Sequence, residues 1–144
     1  MVTCCDTSFL FALYGNDEHS TRAIGWVRKQ SQPISLSAFN EYELANALRF
    51  AEYRGALRPG DAAACWADFE ADLTASRLAT TPCNLAAVVA EAKRLSASHT
   101  LSSGHRSFDI LHVAAAVHLG AKRFLTFDRN QRVLAKAERL TLPL

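Results

Sequence analysis

Two rhythms of apolar positions alternate along the chain. Short runs of apolar or β-prone residues occur at 2–5 (VTCC), 32–37 (QPISLS), 77–82 (RLATTP) and 122–127 (KRFLTF). Between them lie longer segments in which apolar residues recur every three or four positions. The short runs predict strands, and the long ones predict helices over 7–14, 19–30, 40–54, 61–74, 84–99, 107–119 and 129–137. In the 40–54 segment, Leu44, Ala47, Leu48 and Ala51 stand at i, i+3, i+4 and i+7, a stripe that faces a core. Cys65, Phe69 and Leu73 form a similar face in the helix that Pro59 and Asp61 open. Gly120 closes the 107–119 helix, the Ser/Gly content of TLSSGHRS predicts a loop over 100–107, and RLTLPL predicts a last strand. Strand and helix in alternation predict one α/β domain over 1–144, with a mainly parallel sheet of about five strands.

A parallel sheet matters for function because ligands bind beyond the C-terminal ends of its strands. Asp6 follows the first predicted strand and Asp128 the fourth. If those strands are neighbours, the two carboxylates share one edge of the sheet. Asp109, in the first turn of the 107–119 helix, belongs at the same end, and Glu43, one turn into the helix after strand two, can point there too. Taken singly, each has an ordinary explanation. Asp6 can cap the first helix, and Asp109 can complement a helix dipole. Asp128 and Gln131 have the spacing of a capping box, and Glu43 can be a surface residue.

Gathered, the four acids pose an electrostatic problem. Two carboxylates ~4 Å apart repel by roughly 4 kcal/mol at an effective dielectric near 20, so a cluster stays partly protonated unless a cation joins it. Mg²⁺ or Mn²⁺ resolves the repulsion, because hard cations prefer oxygen ligands and retain waters. An all-carboxylate site of this kind suits phosphodiester hydrolysis.

Composition narrows the classes. Hydrophobic residues make up 49% of the chain, as expected of a globular protein. No apolar run approaches the ~20 residues of a bilayer span, and MVTCCDTSFLFALYG lacks a basic signal-peptide start, so a cytoplasmic protein without a membrane is expected. Cys4, Cys5, Cys65 and Cys83 form no C-x-x-C pair and are expected as reduced thiols. The net charge of +2 announces no polyanion partner by itself. Between Lys122 and Arg139, however, six basic residues stand against two acidic ones, either a solvated face or a surface for a polyanion.

Three stretches together, CCDTSFLFAL, LSAFNEYELANALR and HRSFDILHVAAAVHLGAKRFLTFD, resemble the PIN domain family, especially the VapC-type toxins of bacterial toxin–antitoxin pairs. The resemblance spans residues 3 to about 138 and implies a three-layer α/β/α fold. It implies that Asp6, Asp109 and Asp128 hold Mg²⁺ or Mn²⁺, with Glu43 ligating directly or through water. Glu41 is set aside, because two helical residues turn the side chain by about 200°. Thr7 or Ser8 is expected against a carboxylate or a water, and Thr126 is expected to orient Asp128. Arg106 either contacts a substrate phosphate or pairs with a carboxylate, and His112 is expected as a packed histidine.

The implied activity is that of an endoribonuclease acting on structured RNA such as transfer or ribosomal RNA, leaving a 5′-phosphate and a 3′-hydroxyl. A small antitoxin partner and a homodimer are also implied. Phe9, Leu10, Leu13, Phe50 and Tyr53 are either contact surfaces for these partners or core. The alternative is an inactive nucleic-acid- or protein-binding module on the same fold. A dehalogenase-like phosphatase is disfavoured because Thr7 and Ser8, not a D-x-D motif, follow Asp6. A response-regulator receiver is disfavoured because no acidic pair follows the first strand.

Overall fold

The computed structural model describes residues 1–144. The elements follow in the order β1 (Thr3–Cys5), α1 (Thr7–Tyr14), α2 (Ser20–Val27), β2 (Ile34–Leu36), α3 (Ala38–Tyr53), α4 (Asp61–Thr74), β3 (Leu78–Thr80), α5 (Leu85–Ser103), α6 (Ser107–His118), β4 (Arg123–Leu125) and α7 (Arg129–Ala137). All strand pairing is parallel. Thr3, Cys4 and Cys5 of β1 lie opposite Arg123, Phe124 and Leu125 of β4. Ile34, Ser35 and Leu36 of β2 lie opposite Leu78, Ala79 and Thr80 of β3. β1 packs beside β2, giving the spatial order β3–β2–β1–β4.

Strand alternation divides the core between two faces. Cys5 and Leu125 face Phe9, Leu10, Leu44, Leu48 and Phe69, on the side of α1, α3 and α4. Cys4 and Phe124 face Val88, Leu95, Val113, Ala114 and Leu134, on the side of α5, α6 and α7. This is the three-layer α/β/α arrangement. Phe9 and Leu10 are fully buried and belong to the core, whereas Phe50 and Tyr53 are 56% and 85% exposed. The five candidate contact residues therefore separate into core and surface, with Leu13 partly buried at the core's edge.

Local chemistry sets several boundaries. Asp6 caps α1 by accepting from Phe9 N at 3.1 Å, and Asn84 caps α5 through Ala87 N at 3.0 Å. α3 starts earlier than its apolar stripe suggests, because Ser37 and Asn40 form a capping box. The expected loop over 100–107 is shorter. TLSS continues α5 to Ser103, and the helix stops only where Gly104 takes a left-handed φ of 68°. The expected fifth strand reduces to one bridge between Thr141 and Arg123. Arg139 enters it with a φ of 63°, and Pro143 has no N–H to extend the ladder.

Candidate functional site

The parallel register of β1 and β4 brings Asp6 and Asp128 out at the same sheet edge. Asp6 is completely buried. Its carboxylate accepts from Ser8 Oγ at 2.7 and 2.9 Å, Thr126 Oγ1 at 2.6 Å and Gln131 Nε2 at 2.7 Å, in addition to the Phe9 amide. Burial pushes this carboxyl up to about 6, although the bonds from Thr126, Ser8 and Phe9 pull the other way.

Thr126 joins the two strand ends. While donating to Asp6, its hydroxyl accepts from the Asp128 amide at 3.0 Å. Its carboxylate partner is therefore Asp6, and it positions Asp128 through the backbone. Ser8 ties the same ends together by accepting from Phe127 N at 2.9 Å. Thr7 approaches His112 Nε2 at 3.5 Å and also bonds to the Glu43 carboxylate.

Asp109 is 8% exposed in the first turn of α6. Arg106 Nε donates to its Oδ2 at 3.0 Å, and the same guanidinium lies 4.0 Å from Asp128 Oδ2. Burial raises the Asp109 carboxyl, Arg106 opposes the rise, and the charges of Asp128 and Glu43 add to it. Of the two roles open to Arg106, this structure displays the carboxylate pairing, on a side chain that is 81% exposed.

Glu43 reaches the site through His112. The imidazole Nε2 lies 3.0 Å from Glu43 Oε1, and Nδ1 lies 3.4 Å from Asn40 Nδ2, which also donates to Cys5 O at 2.9 Å. An amide nitrogen only donates, so Nδ1 accepts and Nε2 carries the proton that faces Glu43. Burial would raise the Glu43 carboxyl, but hydrogen bonds from His112 and Thr7, with Arg106 nearby, hold it below the usual range. His112 is packed, as expected, and it is also the support of Glu43. Glu41 faces elsewhere and accepts from Thr80 at 2.8 Å.

Two residues of this network were missed as site residues in the sequence. Asn40 belongs to the α3 cap. Gln131 stands three positions after Asp128, the spacing of a capping box. Only half of that box forms: Gln131 N donates to Asp128 Oδ1 at 2.8 Å. The Gln131 side chain crosses to Asp6 and to Asp109 Oδ1, the latter at 3.2 Å. The spacing was a signal for the residue but not for its direction.

Three of the acids thus form a linked array: Gln131 joins Asp6 to Asp109, and Arg106 joins Asp109 to Asp128; Glu43, supported by His112, acts on Asp109 and Arg106 through its charge. No three Asp, Glu, His or Cys side chains converge as a ready-made metal cage. Beside the array, a groove of about 400 Å³ is lined by Ser8, Phe11, His19, Phe50, Arg54, Phe127 and Asp128, among others. The His19 ring stacks on Phe127 at 4.4 Å. A larger cavity of about 640 Å³ opens at the other end of the sheet beside Pro33, Ile34 and Arg77, and none of the four carboxylates lines it.

The PIN domain family profile matches residues 3–137. Comparison with curated proteins by sequence finds no match. Among solved structures, the fold is similar to VapC20 of Mycobacterium tuberculosis, a sarcin–ricin loop cleaving toxin (17% identity, 91% of this chain and 93% of that one, TM-score 0.67). It is also similar to VapBC2 of Rickettsia felis, solved bound to a DNA fragment from their promoter (14% identity, 99% and 97%, TM-score 0.66). A third similar structure is PAE2754 of Pyrobaculum aerophilum (18% identity, 99% and 83%, TM-score 0.64).

Proposed function

Because the chain belongs to the PIN domain family, we propose that it is a Mg²⁺- or Mn²⁺-dependent endoribonuclease and the toxin of a toxin–antitoxin pair. The observation that carries this reading is the linked array of Asp6, Asp109 and Asp128 at one sheet edge, with Arg106 as its one arginine and the charge of Glu43 acting on it. The donor set fits a hard cation: it is all oxygen, it carries an excess of negative charge, and burial makes its innermost member costly to ionise without a counter-charge. Asp6, Asp109 and Asp128 would hold the ion, with Glu43 ligating directly or through water. When bound, it would supply charge neutralisation at a phosphodiester and acidify an attacking water.

The chain's own residues have definable parts in this chemistry. Ser8 and Thr126 hold the Asp6 carboxylate in one orientation, and His112 does the same for Glu43. Arg106, being largely exposed, can exchange a carboxylate for an RNA phosphate. The aromatic groove at Phe50, His19 and Phe127 offers stacking faces for unpaired bases. Arg129 and Lys136 of α7 supply positive charge for the backbone, so binding weakens with salt. Arg123 and Arg132 of the same basic stretch serve the fold instead, through Thr3 and the Leu144 carbonyl respectively.

Structured RNA, transfer or ribosomal, is the substrate class of this proposal, with 5′-phosphate and 3′-hydroxyl products. The fold shared with VapC20 and VapBC2 supports an antitoxin partner, and exposed Tyr42 and Tyr53 on α3 support a homodimer. No helix is long and apolar enough to cross a membrane, and a cytoplasmic location is proposed with the rest. The alternative, a binding module without catalysis, draws support from the absence of a ready-made cage.

One experiment separates the two. Purified protein is incubated with structured RNA and Mg²⁺, Mn²⁺ or EDTA, beside Asp6→Asn and Asp109→Asn. Cleavage that needs metal and both aspartates is expected; equal outcomes in every lane would leave only the binding module.

A further inference from the structure

The Asp6 carboxylate has no free acceptor capacity. Oδ1 takes Ser8 Oγ and Phe9 N, and Oδ2 takes Thr126 Oγ1 and Gln131 Nε2, with Ser8 Oγ shared between them. Three of these donors are fixed. Phe9 N is helix backbone, and the short Ser8 and Thr126 side chains also hold the Phe127 and Asp128 amides. Only Gln131 donates from a long side chain. A ligand approaching Asp6 therefore has one displaceable group in its way.

That group carries a second anomaly. Gln131 is 2% exposed. Its Nε2 sits between Asp6 and Asp109, while its Oε1 is buried with no hydrogen-bond partner. Buried acceptors are normally satisfied. One half of the amide is thus doubly used, and the other half is stranded beside the acidic array.

Both observations have one chemical explanation. Whatever lies between two carboxylates must be electropositive, and without a cation an amide N–H fills that place. With a cation there, its neighbours must present oxygen. A glutamine meets both demands, since half a turn of its amide exchanges nitrogen for oxygen in nearly the same space. We propose that Gln131 is a further ligand of this site. Its NH₂ bridges Asp6 and Asp109 in the metal-free protein, and its Oε1 turns to a divalent cation on loading. The inference rests on the metal-dependent reading above. The bond from Gln131 N to Asp128 anchors the backbone of α7 in both states, so the change is confined to the side chain.

The test is Mn²⁺ titration calorimetry of the full chain without RNA, comparing the wild type with Gln131→Met and Gln131→Glu. Proton–nitrogen spectra follow the Gln131 NH₂ signals as Mg²⁺ is added. Gln131→Met keeps the length without either polar atom, and its Mn²⁺ affinity should fall about tenfold or more. Gln131→Glu keeps an oxygen and should bind at least as tightly as the wild type. The Gln131 NH₂ signals should move with Mg²⁺. Equal or tighter binding by Gln131→Met, weaker binding by Gln131→Glu, or unmoved NH₂ signals would overturn the assignment and leave the metal reading standing. Absence of Mn²⁺ binding by the wild type would overturn both. If Gln131→Met does not fold, the spectrum and Gln131→Glu still decide the matter.

Discussion

Asp6 should make the metal-free protein less stable as pH rises, opposite to the usual contribution of a folded-state carboxylate. Burial lifts its carboxyl from 3.8 to about 6. In the unfolded chain the group titrates near its ordinary value. Between the two values the folded state holds a proton that the unfolded state has lost, so stability falls with increasing pH. This contribution is fully present below about pH 4, is lost through pH 6 and is flat above about pH 7.

A gap of about two pH units at ~1.4 kcal/mol each amounts to about 3 kcal/mol. For a domain of this size that is roughly 10 °C in melting temperature. The assay is urea or thermal unfolding from pH 4 to 8 in EDTA, for the wild type and Asp6→Asn. The other groups titrate in both proteins, so the difference curve isolates Asp6. The wild type should lose about 3 kcal/mol relative to Asp6→Asn between pH 4 and 7.5. Saturating Mn²⁺ at pH 7.5 should recover stability in the wild type alone, because a cation replaces the proton. A flat difference curve, or one that rises with pH, would refute the burial argument.

Other consequences are simpler to test. Arg106→Ala removes the cation paired with Asp109. Calorimetry should find Mn²⁺ bound several-fold more tightly, while RNA affinity falls and its salt slope becomes shallower by about one. Leu48, 1% exposed among the α3 and α4 core residues, should cost about 2–5 kcal/mol on Leu48→Ala, read from urea unfolding. Glu138 joins α7 to α5 through Arg94 at 2.7 Å and His99 at 2.8 Å. Chiefly Arg94 holds its carboxyl below the usual value, so the contribution is present above the ordinary glutamate range and lost as pH falls through the lowered value. Since Arg94 is half exposed, Glu138→Gln should cost under about 1 kcal/mol, and less in high salt.

The alternation of strands and helices was legible in the chain because backbone hydrogen bonding and one-sided burial leave their period in the local sequence. The caps at Asp6 and Asp128 were legible in the same way, since a cap involves residues three apart. Where local signals competed, only the fold decided. TLSS, loop-like in composition, continues α5 because nothing before Gly104 forces a turn, and the last strand shrinks to Thr141 because Arg139 and Pro143 spoil its ladder. Asp6, Asp109 and Asp128 could be picked out at element ends and Glu43 one turn into its helix, together with near neighbours such as Ser8 and Arg106, but their distant partners could not.

Thr126 meets Asp6 across 120 positions of chain, and Gln131 meets it across 125. Those meetings depend on β1 pairing with β4 in a particular register, which no short-range pattern encodes. The same holds for Phe9 and Phe50, both aromatic and both on helices, of which one is core and the other surface. The sequence by itself determined the alternation of strands and helices and which acids could do chemistry. The tertiary structure decided which of them touch, because side-chain contact is set by strand register and helix packing between segments far apart in the chain.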